Sequence, residues 1–120
     1  MSKTTLVLGA SPSPTRYAYK AVKKLTKYGH KVVAIGKVEA EIDSVKIVKE
    51  MVEIPDLHTV TIYLNPGKQE PYLDYIMGLK PKRIIFNPGS YNSKLEKMAE
   101  QQGIEVLEDC TLIMLDTDEF

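Results

Sequence analysis

The sequence predicts an α/β fold: a parallel sheet covered by helices on both faces. Three observations lead there. Short apolar or β-branched runs recur along the chain, at Thr4–Gly9, His30–Gly36, Thr59–Leu64, Lys82–Phe86 and Ile104–Leu107. Segments of helical period separate most of them. Glycine or proline loops punctuate the joins. Strands alternating with helices bury both faces of the sheet, and only parallel pairing does this with such connections. Residues 1–120 read as one domain, long enough to bury a core without disulfides or metal.

Each element follows from local chemistry. Thr4–Gly9 is the first strand. Ala18, Ala21, Val22, Leu25 and Tyr28 then recur at spacings of three and four, while Lys20, Lys23, Lys24 and Lys27 lie off that face. This predicts a helix over 14–28, with Ser13 as N-cap, Pro14 at the first helical position and Gly29 at the C-cap. His30–Gly36 is the second strand, and the unit is a right-handed crossover. Residues 37–57 read as a loop with one short edge strand, Val45–Val48. Thr59–Leu64 is a strand broken by Asn65-Pro66-Gly67. A helix over 69–79 follows, with Leu73, Ile76 and Met77 inward. Lys82–Phe86 is a strand broken by Asn87-Pro88-Gly89. Ser93-Lys94-Leu95-Glu96 matches a capping box and opens a helix with Leu95, Met98 and Ala99 inward, closed by Gly103. Ile104–Leu107 is the last strand.

Composition excludes several classes. Sixteen basic residues balance sixteen acidic ones, so no global charge favours nucleic acid. No apolar run suits a leader or a membrane span, and the expected location is the cytoplasm. The single cysteine, Cys110, excludes an intramolecular disulfide framework and a cysteine-based zinc site. No metal site is expected.

Ligands of such sheets bind beyond the carboxyl ends of the strands, near the switch point. The segments after each strand are therefore the candidates: 9–16, 36–40, 64–68, 86–91 and 108–111. His30 and His58 precede strands and belong to the opposite edge. Glu39, Glu41 and Asp43 cluster after the second strand, and Asp116, Asp118 and Glu119 form an acidic tail; both groups read as solvated charge. Cys110 lies on the ligand side, but no histidine is placed to activate it. No catalytic constellation emerges.

The stretch Gly9-Ala10-Ser11-Pro12-Ser13-Pro14-Thr15-Arg16 carries more. Gly9 allows a tight turn and close approach. The following helix directs its first amides and dipole at this loop. Ser11 and Ser13 add hydroxyls, and Arg16 a guanidinium suited to phosphate. The loop reads as a phosphate site or as a plain βα turn. The second strand ends in Ile35-Gly36-Lys37, where an NAD site would have Asp or Glu for the ribose. A lysine there invites a ribose phosphate, as in NADP or coenzyme A.

These residues resemble the small CoA-binding proteins, and the CoA-binding domain of the succinyl-CoA synthetase α subunit. The resemblance rests on Gly9-Ala10-Ser11 with Pro14 and Arg16, and on an aromatic near the helix start (Tyr17 or Tyr19). Gly29 before Val32-Val33-Ala34-Ile35, Ile54-Pro55-Asp56, Tyr63 to Pro66, Asn87-Pro88-Gly89 and Asp109-Cys110 continue it. It implies a Rossmann-like, doubly wound, three-layer αβα fold with strand order 3-2-1-4-5-6. It implies coenzyme A, free or acylated, across the carboxyl edge. Gly9, Ala10, Ser11, Ser13, Pro14 and Arg16 would surround the phosphates, with Gly36 and Lys37 at the ADP portion. Leu64, Asn65 and Pro66 would border the adenine, and Asn87 and Pro88 the path beyond. Relatives often end the second strand in Val-Asn-Pro where this chain has Ile35-Gly36-Lys37. The segment 38–53 matches poorly, and the synthetase's phosphorylated histidine lies in a domain outside the resemblance. Non-catalytic CoA or acyl-CoA binding is thus the leading expectation. An NADP-binding oxidoreductase-like protein and a protein-interaction subunit or homo-oligomer are the alternatives.

Overall fold

The computed structural model describes residues 2–120. Seven strands form one sheet: β1 (Thr5–Leu8), β2 (Val32–Ile35), β3 (Ala40–Ile42), β4 (Val45–Val48), β5 (Thr59–Ile62), β6 (Arg83–Phe86) and β7 (Glu105–Glu108). Their order is β3-β4-β2-β1-β5-β6-β7. All pairings are parallel except β3 with β4. With the hairpin strand β3 set aside, this is the expected Rossmann-like order, switching direction at β1.

The period of two in β1 divides the core. Leu6 and Leu8 enter one apolar cluster with Val60, Ile62, Ile84 and Phe86. That face is covered by α3 (Leu73–Leu79), α4 (Ser93–Gln101) and the segment around Ile54 and Leu57. Val7 points to the other face, with Ala34 and Ile85. There α1 (Tyr17–Lys27) contributes Ala18, Val22 and Leu25, and α5 (Thr111–Asp116) contributes Met114 and Leu115. Each helix hides one apolar stripe against the sheet.

Several sequence expectations need correction. The helix after β1 starts at Tyr17, not Pro14. Arg16 is its N-cap and offers no side-chain cap, because Ser13–Arg16 closes a turn of its own, with the Arg16 N–H on the Ser13 carbonyl at 3.0 Å. The strand Val45–Val48 is not an edge. Asp43, at φ 54°, turns the chain so that β3 pairs outside it. The N-cap of α4 is Asn92 rather than Ser93: its side chain accepts the Lys94 and Leu95 N–H groups. Glu96, the expected capping-box partner, instead accepts the Tyr91 hydroxyl at 2.6 Å. The acidic tail is preceded by α5, whose last residue, Asp116, is paired with Lys24 at 2.8 Å. The helix expected over 69–79 begins earlier, as α2 (Pro66–Gln69) and a 3₁₀ turn (Glu70–Tyr72) leading into α3. Among the described residues no helix is long and apolar enough to cross a membrane.

Candidate functional site

A cleft of about 450 Å³ opens at the carboxyl ends of β2, β1, β5 and β6. Its floor is made by backbones in close contact. Gly9 has φ 95°, and a β-carbon there would lie 3.0 Å from the Leu64 side chain. A β-carbon on Gly36 would lie 2.1 Å from the Ala10 carbonyl oxygen. Both N–H groups of Gly9 and Ala10 donate to the Ile35 carbonyl at 2.9 Å. The two glycines therefore let the first loop pack directly onto the end of β2 at the switch point.

Of the residues expected at the site, Gly9, Ala10, Ser11, Arg16, Gly36, Lys37, Leu64, Asn65 and Pro88 line this cleft. Ser13, Pro14, Pro66 and Asn87 do not. Ser13 shapes the turn: its N–H donates to Ser11 Oγ at 3.1 Å and its hydroxyl meets Thr15 Oγ1 at 3.1 Å. Pro66 is the first residue of α2, capped by Asn65, whose Oδ1 accepts the Lys68 N–H at 3.0 Å. Asn87 is buried. Its amide donates to Thr61 Oγ1 and the Ile62 carbonyl, and its Oδ1 accepts the Thr111 N–H. It ties β5, β6 and α5 together behind the cleft.

Lys68, Tyr72 and Tyr63 are among the cleft residues that received no site role from the sequence. Lys68 lines the β5 side, Tyr72 lies beyond it and Tyr63 sits on the floor. The signal for Lys68 was present: Asn65-Pro66 is an N-cap followed by a first-turn proline, so Asn65-Pro66-Gly67 starts a helix as well as ending a strand. The Tyr63 hydroxyl is buried without a hydrogen-bond partner among the described residues. Burial pushes its pKa up to about 12, so it stays neutral.

A buried amide joins the two Asn-Pro-Gly loops. Gln69 is fully buried. Its amide donates to the Leu64 carbonyl at 2.8 Å and the Ser90 carbonyl at 2.6 Å, and its Oε1 accepts from Asn92 Nδ2 at 3.0 Å. Both walls on this side are thus set by one side chain.

The electrostatics are one-sided. Arg16, Lys37 and Lys68 line the cleft and no Asp or Glu does. None of these three side chains makes an ion pair or hydrogen bond to another described residue. The amino end of α1 adds to them. Asn65 caps α2 and Asn92 caps α4, whereas α1 has no side-chain cap, leaving first-turn amides unmet. A neutral chain has gathered unpaired positive charge and free N–H donors in one crevice, an arrangement that suits phosphate. Cys110 does not line the cleft. His30 and His58 lie at the other end of the strands, where His30 Nδ1 accepts the Lys3 N–H at 3.0 Å.

Comparisons with known proteins bear on this geometry. The family model described as CoA binding domain matches residues 3–116. A crystal structure of an uncharacterized protein shares 42% identity, covers 100% of this chain and 99% of its own, and superposes with a TM-score of 0.96. The structure of cell-free ID.343 from Thermus thermophilus has 22% identity and a TM-score of 0.85, over 99% of this chain and 91% of that one. A dinucleotide-forming acetyl-coenzyme A synthetase 1 from Ca. Korarchaeum cryptofilum, in complex with phosphate and ADP, has 22% identity and a TM-score of 0.71; the match covers 89% of this chain and 25% of that one. A search of curated proteins gave no match.

Proposed function

The chain belongs to the CoA-binding domain family, and on that premise we propose that it binds coenzyme A or an acyl-CoA in the carboxyl-edge cleft, without catalysing a reaction. One observation carries the reading: three cations without internal partners converge with the uncapped end of α1 in a crevice that has no carboxylate. Coenzyme A has two anionic centres, a pyrophosphate and a ribose 3′-phosphate. The α1 amides, Ser11 and Arg16 suit the first, because a helix end and a planar guanidinium both favour phosphate oxygens. Lys37, at the end of β2, suits the second as a point charge. Lys68 stands on the β5 side, where the pyrophosphate continues into the pantetheine arm. Leu64 and Pro88 supply apolar surface for that arm.

Titration calorimetry tests this directly. Coenzyme A should bind, and 3′-dephospho-CoA should bind more weakly by about 1–3 kcal/mol, the range for a charge-assisted contact. Lys37→Ala should abolish most of that difference while leaving the melting temperature unchanged. No heat with millimolar CoA, or a thermal shift with NADPH but none with CoA, overturns the reading.

A further inference from the structure

The sheet has a notch on its β2–β4 side, at the amino ends of those strands and away from the cleft. β1 pairs with all four residues of β2, but β4 pairs only with Ala34 and Ile35. Val32 and Val33 therefore have a strand partner on one side only. On β4, Val45 and Lys46 pair with β3 instead, opposite Ile42 and Glu41. The crossover that follows adds little cover. A connection between parallel strands usually carries a helix, but residues 49–58 carry none. Ile54 and Leu57 of this segment enter the core, whereas Val52 is only partly buried and Met51 is 47% exposed.

The result is a groove of about 420 Å³, a size and apolar character that suit a small molecule. Val32 and Val33 of β2, Val45 and Val48 of β4, and Val52 line it, all of them partly buried. No Phe, Tyr, Asp or Glu lines it among the described residues. Branched aliphatic walls without a ring to stack on suit a flexible chain better than a flat base. The rim is cationic. Lys31 and Lys46 are exposed and form no ion pair with a described residue. Glu41 stands opposite Lys46 in the β3–β4 register but does not bridge to it. His30 also lines the groove; its Nδ1 accepts the Lys3 N–H, which leaves its ring hydrogen on Nε2 as a donor. Only the carboxyl end of α1 reaches the groove, through Thr26, so no helix amides await a phosphate as they do in the cleft. The walls ask for length without polarity, and the rim for one negative charge. We propose that this groove binds an aliphatic monocarboxylate of the fatty-acid class, with its chain along the valines and its carboxylate at Lys31 and Lys46. The site is separate from the carboxyl-edge cleft and does not rest on the CoA reading.

Titration calorimetry with octanoate, decanoate and 1-octanol tests this, with amide NMR shifts to locate each bound probe. Decanoate should bind more tightly than octanoate, by about fourfold for each methylene that the groove covers fully. Octanol has the chain without the charge and should bind about tenfold more weakly than octanoate. Lys31→Glu with Lys46→Glu changes exposed residues only, so the melting temperature should hold while the preference for octanoate over octanol disappears. Val33→Thr with Val48→Thr keeps the β-branched shape and should instead shrink the gain per methylene. In the wild-type protein, which needs no variant to fold, the shifts should centre on Val32, Val33, Lys46 and Val48. Absence of binding, or equal binding of octanol and octanoate, overturns the site. Shifts centred on Gly9 and Gly36 overturn it by placing the carboxylate in the cleft. A wild-type chain that sediments as a dimer, with the double glutamate variant monomeric, overturns it by assigning the valines to a contact between copies.

Discussion

The two ends of the sheet gather the same kind of side chain and do opposite things with it. At the carboxyl end, Arg16, Lys37 and Lys68 face a cleft and meet no described partner. At the amino end, Lys3 and Arg83 close around Phe120. Lys3 Nζ and Arg83 Nη1 both donate to the Phe120 carbonyl oxygen. The Arg83 guanidinium lies 4.4 Å from the centroid of the Phe120 ring, and the His30 ring lies 5.0 Å from it. Arg83 Nε also donates to Thr59 Oγ1 at 2.9 Å. Arg83 is only partly satisfied, since its Nη2 is buried without a hydrogen-bond partner among the described residues. These cations are taken up by internal contacts, whereas the cleft cations are left open to a ligand. The strand direction decides which end is which, since crossovers return their loops and helix starts to the carboxyl edge.

The sharpest way to break this comparison is at Phe120. Its ring is buried and organises Lys3, His30 and Arg83. Phe120→Ala should lower the unfolding free energy by about 3 kcal/mol, the low end for removing a buried phenyl group. Urea denaturation reads this. CoA affinity at a temperature where the variant is folded should match wild type. A tenfold loss of affinity with intact stability would mean that the amino edge takes part in the site.

Gln69 sharpens the comparison from the other side, because it is a stability residue inside the binding edge. Gln69→Ala leaves the Leu64 and Ser90 carbonyls and the Asn92 amide without their partner. Unmet buried groups of this kind put the expected cost at about 2 kcal/mol. Both loops lose their shared anchor, so CoA affinity should fall as well. Gln69→Glu keeps the Asn92 contact but removes the two donors. If Gln69→Glu retains wild-type affinity and stability, the loops are held by something else.

Much of this was legible in the sequence, for identifiable reasons. The central strands announce themselves because they are buried on both faces and therefore read as continuous apolar runs. Gly9, Arg16, Gly36 and Lys37 could be found because the carboxyl-edge rule turns a position in the sequence into a position in space. β3 stayed hidden because it is three residues long with an exposed Glu41 at its centre, and a strand that pairs on one side need not look apolar. α5 stayed hidden behind the acids that follow it. Asn87 and Gln69 illustrate a different limit. Asn87 reads as a loop residue and Gln69 as the start of a helix, and each is buried because partners, Thr61 and Thr111 for Asn87 and Ser90 and Asn92 for Gln69, arrive from distant segments. No local pattern encodes such partners.

The smallest expected effect concerns pH, and it separates the two edges without any mutation at the cleft. His30 and His58 both titrate below the usual 6.5. Burial is the main cause for each; Lys3 is the next for His30 and Arg83 the next for His58, with Lys82 adding to the effect and Glu105 opposing it at His58. His30 Nδ1 must also be unprotonated to accept the Lys3 N–H. The unfolded chain therefore binds more protons than the native one just below 6.5, so stability is complete above that value and declines as pH falls toward the depressed native values. The melting temperature should drop between about pH 7 and pH 5, and His30→Asn with His58→Asn should flatten that part of the profile relative to wild type. No histidine or carboxylate lines the cleft, so affinity for 3′-dephospho-CoA, whose pyrophosphate stays ionised, should remain level across the same window. A profile that is equally steep in the double variant would assign the acid sensitivity to carboxylates elsewhere. An affinity that follows the melting temperature would show that the two edges are coupled through the sheet.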